Sequence, residues 1–180
     1  MRVESTVFTC CRQHERDFKF GACAMKAEYL NAFIQGTKNI MARICGESIG
    51  LGKLFVKHHP FLAKELAVTI EMYGSSRGFI VYTMDPDAAL YLAEKLLPDA
   101  GKRSFDALTC SALSELANMI SGAAATLIYQ FDTTVDISTP SFYHNAGPME
   151  FAFIPFDTQV VCMPIVLEDG SIFEIDVMLI

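Results

Sequence analysis

Residues 111–124, SALSELANMISGAA, read as one helix with two unlike sides, and the rest of the fold is organised around that helix. Leu113, Leu116, Ile120, Ala123 and Leu127 return at steps of three and four residues, the period of an amphipathic helix, and must face a core. Ser111, Glu115 and Asn118 fall on the other side, with Glu115 and Asn118 three apart and therefore neighbours on the surface. Gly122, followed by Ala123, Ala124 and Ala125, leaves the next turn almost bare. A glycine inside a helix costs roughly 1 kcal/mol against alanine, so this one points to close approach by another surface. The stripe thus carries one charge and one neutral group that both donates and accepts hydrogen bonds. Spacing alone also describes an ordinary solvent-facing stripe, and the surrounding chain distinguishes the two.

Working outward, Ser104 is placed to cap this helix and Asp106 suits the positive end of its dipole, with the helix running to about Tyr129. Upstream, a first helix starts near Ala27, carries Leu30, Phe33, Ile34, Ile40 and Met41 at helical spacing, and stops at Gly46. Strands are predicted over 51–57, 65–73 and 78–84, the last two joined by a turn at Gly74-Ser75-Ser76. Asp85-Pro86 then opens a short helix over 87–97. Downstream of the motif, 134–139 reads as a short strand ended by Pro140, and 141–156 as loop. Residues 158–167 and 171–179 form a hairpin across Asp169-Gly170. In its second strand Phe173, Ile175, Val177 and Leu179 alternate with Glu174, Asp176 and Met178, which predicts one buried and one wet face. Pro164 lacks an amide donor and predicts an edge or a bulge. The order suggests two related halves, each a long helix followed by a β-meander: an α+β domain with two long helices packed on an antiparallel-rich sheet.

With 180 residues the chain suits one domain, here 25–180, with 1–24 as an N-terminal extension. Hydrophobic residues make up 52% and charged residues 19%, which excludes disorder, and no apolar run approaches the ~18 residues of a membrane span. The net charge of −7 and the lack of a basic cluster remove the electrostatic footprint of a nucleic-acid binder. The first 24 residues lack the apolar core of a secretory leader, so a cytoplasmic protein with free thiols is expected. Cys10, Cys11, His14 and Cys23 match no usual zinc spacing. Cys45, Cys110 and Cys162 read as small buried hydrophobes. No Gly-x-Ser-x-Gly elbow is present, and the GSSRG run at 74–78 lacks the Lys-Ser/Thr and helix of a phosphate-binding loop.

The opening helix KAEYLNAFIQGTKNIM, the segment RGFIVYTMD, the motif SALSELANMISG, the piece ISTPSF and the hairpin VVCMPIVLEDGSIFEIDVML together resemble the CheC/CheX/FliY group of bacterial chemotaxis phosphatases, its CheX branch in particular. The signature of that group, an Asp or Ser, then Glu, then Asn on one helix with a proline some way downstream, falls here on Ser111, Glu115, Asn118 and Pro140. The resemblance implies a pseudo-two-fold domain that hydrolyses the aspartyl phosphate of a CheY-like receiver. It makes Glu115 the anchor for the receiver's lysine and Asn118 the group that positions the attacking water. Mg²⁺ would come with the receiver and no cofactor or metal with this chain. It also implies a homodimer joined through its sheets, to which the weakly charged strand 159–167 would contribute. In the first helix Gln35 and Lys38 stand where a second copy would fall, so one site is expected. The alternatives are a receiver-binding or assembly module with little turnover, and a metal or redox sensor built on the N-terminal cysteines.

Overall fold

The computed structural model describes residues 27–46, 48–58, 60–98, 105–131, 133–151, 154 and 158–180. The N-terminal cysteines and Ser104 therefore lie outside the described residues. Helix α1 (Ala27–Ile40) passes into a π turn over Met41–Cys45 and ends where Gly46 takes the left-handed conformation that glycine tolerates best. Strands β1 (Gly50–Leu51), β2 (Phe55–Lys57), β3 (Leu62–Ala63), β4 (Leu66–Gly74) and β5 (Gly78–Met84) follow, then α2 (Pro86–Leu96) and α3 (Ala107–Ile128) with a 3₁₀ turn over Tyr129–Phe131. The chain closes with β6 (Val135–Ile137), β7 (Ser141–His144), β8 (Met149–Glu150), β9 (Val160–Val166) and β10 (Ile172–Leu179).

The two halves do not each form a meander, as the sequence suggested. The main sheet runs β1/β2, β9, β10, β5, β4, β6/β7, all antiparallel, so the strand after each long helix crosses to the hairpin of the other half. The result is a pseudo-two-fold arrangement centred on β5–β10. Both outer strands are broken in the same way. Leu51 pairs with Ile165 and Phe55 with Cys162, four steps against three, which is a bulge. Ile137 pairs with Met72 and Ser141 with Thr69, again four against three. The predicted strand 51–57 is thus two pieces, and the predicted loop 141–156 contains β7 and β8. Pro164 lies on β9, an interior strand, opposite the bulge in β1–β2, where Gly52 donates its amide to the Pro164 carbonyl at 2.8 Å. A Cβ on Gly52 would come within 2.9 Å of the proline ring.

Helices α1 and α3 cover one face of this sheet. Phe33, Ile40, Ile70, Ile80, Leu113, Leu116, Ile120, Ile175 and Val177 are buried between them. The helices touch closely at Gly36, where an added Cβ would lie 3.1 Å from the Ala124 amide nitrogen. Only glycine allows that approach without displacement.

The other face is not wet. Phe61, Ala67, Val81, Phe151, Ile154, Val160 and Met178 form a second buried cluster, held down by the β3–β8 pair. Within this face Lys57 Nζ lies 2.6 Å from Glu174 Oε2 and 2.9 Å from Asp176 Oδ2, and Asp176 is fully buried. The ammonium also sits 5.2 Å from the Phe61 ring centroid. Glu174 and Asp176 are therefore inward residues neutralised by a lysine from the edge strand rather than by solvent. Lys64, on the connection to β4, extends the network to Asp85 at 2.8 Å. That carboxylate precedes α2 but makes no side-chain cap to it.

Two outcomes follow from the buried charges. Lys57→Met leaves the Asp176 carboxylate without its cation, and urea unfolding at pH 7 should show a loss of about 3–5 kcal/mol. The double change with Asp176→Leu should recover most of it, because Glu174 retains Lys64 within 3.9 Å. Burial pushes Asp176 up to about 6, against the pull of Lys57, from 3.8 in the unfolded chain. A raised carboxylate value means the stability contributed by this group is complete below the unfolded value and disappears as pH rises through the folded one. Measured against Asp176→Asn, the urea midpoint of the parent should fall between about pH 4 and pH 7; a constant difference would show that Asp176 titrates normally.

Candidate functional site

The helix that carries the motif is α3, and its orientation is set from its N-terminal end and from below. Its N-cap is Asp106, whose carboxylate accepts from the Thr109 amide at 2.8 Å. Asp106 thus takes the capping role expected of Ser104. A carboxylate at this position satisfies an otherwise unpaired amide and meets the positive end of the dipole. From below, Leu113, Leu116, Ala117, Ile120, Ala124 and Ile128 are buried, while Ala123 and Leu127, expected in the core, are only partly covered. The buried line is rotated slightly from the expected one because α1 presses on the helix at Ala124.

Ser121 was not anticipated. It is buried, and its hydroxyl shares a 2.7 Å hydrogen bond with the Tyr82 hydroxyl on the central strand β5. Burial raises the Tyr82 pKa far above its usual value, so the phenol stays neutral and able to donate. This polar pin inside an apolar interface fixes the rotation of α3 on the sheet, since any roll of the helix would leave two hydroxyls unpaired. The signal in the sequence was a lone serine on the apolar line, between Ala117 and Ala124.

With that rotation, Ser111 and Glu115 are exposed and Asn118 and Gly122 are half-buried on the outward side. Among the described residues no hydrogen bond or ion pair engages the side chains of Ser111, Glu115 or Asn118. Their neighbours are turned away: Ser114 Oγ donates to the Cys110 carbonyl at 2.8 Å, and Thr126 Oγ1 donates to the Gly122 carbonyl at 2.9 Å. An added Cβ at Gly122 would meet nothing within 4 Å. The packing of this chain therefore does not demand glycine there, in contrast to Gly36. Pro140 is half-buried in the bulge between β6 and β7, the two strands that pack beside α3. By strand register its counterpart in the first half is Leu54, the residue before Phe55 in the matching bulge, so the proline is present once. In α1, Gln35 spends its amide on Asn39 at 2.8 Å.

One other group of metal-type ligands stands out among the described residues: Cys162, Glu174 and Asp176, whose ligand atoms lie within 4.8 Å of one another. The ammonium of Lys57 already sits on both carboxylates, and burial together with Asp176 pushes the Cys162 thiol far up, away from the thiolate that binds metal. His58 and His144 are exposed, and the His144 ring lies tilted against Phe105 with centroids 5.1 Å apart. Cys45 and Cys110 are partly rather than fully buried.

The profile of the family described as chemotaxis phosphatase CheX matches residues 66–157, a span that contains α3 and Pro140. A CheY-P phosphatase CheX of Thermotoga maritima is 26% identical over 117 residues, covering 65% of this chain and 76% of that protein. Among solved structures, a chemotaxis protein CheX of Desulfovibrio desulfuricans superposes with a TM-score of 0.74 at 22% identity, over 85% of this chain and 99% of the other. A chain from the CheX–CheY–BeF₃–Mg²⁺ complex of Borrelia burgdorferi gives 0.70 at 22% identity, over 86% and 99%. No helix among the described residues is long and apolar enough to cross a membrane. A family match over more than half of the chain, on the same pseudo-two-fold architecture of two helices on an antiparallel sheet, means that this chain belongs to the chemotaxis phosphatase CheX family.

Proposed function

We propose that this chain hydrolyses the aspartyl phosphate of a CheY-like receiver domain, with Glu115 and Asn118 as its working residues. The observation that carries the reading is the unengaged Glu115–Asn118 pair on a helix whose rotation is pinned from beneath. The Thermotoga relative is named as a phosphatase of phosphorylated CheY, and the Borrelia neighbour comes from a complex with CheY, both of which support the same substrate.

In this reading Asn118 enters the receiver's active site. Its carboxamide oxygen accepts a hydrogen bond from the attacking water while its NH₂ donates to a phosphoryl oxygen. The water oxygen bonds to phosphorus, the bond from phosphorus to the aspartyl oxygen breaks, and inorganic phosphate and a free aspartate result. Phosphoryl transfer asks mainly for positioning and charge stabilisation, so a strong base is not required. Glu115 pairs with the receiver's lysine and holds the two proteins in register. Ser111, Gly122 and Pro140 border the contact, with Gly122 allowing close approach. Mg²⁺ arrives with the receiver, and this chain contributes no metal or cofactor of its own. The catalytic unit is the single domain 25–180, working in the cytoplasm.

The chain acts as a homodimer in this reading. β9 and β10 are interior strands, so the hairpin 158–179 offers no free edge; β1/β2 and β6/β7 do. Unpaired edges are ready templates for a second copy, and a two-fold join there leaves α3 of each protomer open.

Asn118→Ala should reduce receiver dephosphorylation at least tenfold with the melting curve unchanged, each tenfold being about 1.4 kcal/mol of transition-state stabilisation. Phosphate release from a receiver charged with acetyl phosphate measures it, and parental activity in that variant would remove Asn118 from the mechanism. Glu115→Ala should lose activity mainly at low receiver concentration and regain it near saturation, as expected of a docking group. Light scattering at micromolar concentration should report about twice the 19.9 kDa chain mass; a fully active monomer would dispose of the dimer.

A further inference from the structure

Two exposed apolar side chains flank the polar motif of α3, one in its first turn and one where the helix passes into the 3₁₀ turn. Leu108 is 55% exposed and Tyr129 67%, in a protein that otherwise buries most of its large hydrophobics. Their placement along the helix is regular. Leu108 precedes Glu115 by seven residues, about two turns, and lies within roughly 20° of its line, some 10 Å along the axis. Tyr129 follows Ser111 by eighteen residues, five full turns, and so falls on the same line, about 16 Å beyond Asn118. Tyr129 still has helical backbone angles, φ −56° and ψ −26°, so the line is not broken before it. Among the described residues nothing takes up its hydroxyl. The stripe therefore reads Leu108, Ser111, Glu115, Asn118, Gly122, Tyr129: a polar centre with an apolar contact at each end.

We propose that Leu108 and Tyr129 are the specificity-determining residues of this phosphatase, anchoring the receiver on either side of the reacting centre; the inference rests on the function proposed above. The charge on the helix argues for a receiver over a second copy of this chain. α3 contains no lysine or arginine, so a two-fold contact across this face would bring together two Glu115 carboxylates without a cation. A receiver brings its lysine to that carboxylate. The length also fits, because a compact domain of about 120 residues is roughly 35 Å across and spans both anchors, which are about 31 Å apart along the axis. Exposed aromatics such as Tyr129 belong to the residue class on which interface energy concentrates, and the apolar ends add to the docking that Glu115 supplies at the centre. The cognate receiver should accordingly present an apolar side chain about 16 Å from its phosphorylated aspartate, on the side facing the C-terminal end of α3. This makes receiver choice a property of the helix ends, separable from the chemistry at Asn118.

Steady-state dephosphorylation of a CheY-type receiver, charged with acetyl phosphate and Mg²⁺, tests this on the full-length chain. Tyr129→Ala should raise KM about tenfold or more with kcat close to the parent, and Tyr129→Phe should behave as the parent, because the ring rather than the hydroxyl makes the contact. Leu108→Ser should raise KM by a smaller factor. Both residues are exposed, so melting temperatures should not move. If the parent turns the receiver over and Tyr129→Ala and Leu108→Ser both keep its KM, the anchoring role is wrong while the phosphatase reading stands. If the parent neither binds nor dephosphorylates any phosphorylated receiver, the phosphatase reading itself fails and the anchors with it. A fall in kcat at unchanged KM would place Tyr129 in positioning the reacting groups and would equally overturn the assignment to specificity.

Discussion

The rotation of α3 about its own axis is the constraint on which the rest of the molecule depends. A helix offers each residue a fixed direction, so turning α3 by one residue's worth of angle would move Asn118 from the surface into the sheet. Three contacts prevent that. The buried line from Leu113 to Ile128 supplies the bulk of the attraction, at roughly 1.5–3 kcal/mol for each large side chain removed from water. Gly36 lets α1 come close enough to wedge against Ala124 and Ile120. The Ser121–Tyr82 hydrogen bond adds direction, which apolar packing alone lacks. The role proposed for Glu115 and Asn118 calls for such support, because misplacement of a reacting group by about 1 Å can cost two orders of magnitude in rate.

The sheet beneath is a second device for rigidity. Since the strand following each long helix pairs with the hairpin of the other half, the two halves share one hydrogen-bonded sheet. The exchange ties both helices to one continuous sheet. It also builds two matching bulges, of which one carries Pro140 beside α3 and the other carries Leu54, packed against the core. The frame is thus nearly symmetric while the residues it carries are not. Glu115, Asn118 and Pro140 gather in the second half, and Gln35 is occupied by Asn39 in the first.

Covering the outer face required a different solution. β3, between β2 and β4, and β8, between β7 and β9, pair with each other beside the second buried cluster. Two acidic residues on β10 are trapped under that cover. Lys57 neutralises them, and its own pKa is raised because, although burial disfavours its charge, the attraction of Asp176 and the hydrogen bonds of both carboxylates outweigh that cost. A buried triad of this kind is a weak source of net stability, and its consequence is to hold the edge strand β2 in one register against β9. These charges are therefore structural, unlike Glu115, whose carboxylate faces water and is engaged by no partner among the described residues.

Local patterning in the sequence determined the two long helices, the hairpins at Gly74 and Gly170 and the stripe that holds Ser111, Glu115, Asn118 and Gly122, because periods of 3.6 and 2 depend only on neighbouring residues. Short segments escaped it. β7 and β8 were read as loop because strands of two to four residues carry too few alternations to register, and they exist only because β4 and β3 are there to pair with them. The wet face assigned to β10 failed for the same reason, since alternation distinguishes two faces without saying what covers either. The cap at Asp106, the deeper burial of Ala124 and Ile128, and the pin between Ser121 and Tyr82 are likewise decisions of tertiary structure. Each joins residues far apart in the chain or selects between neighbours of similar chemistry. The residue types in the site were legible from spacing; that they point outward, unpaired and held at one angle was decided by the packing of α1 and the crossed sheet beneath them.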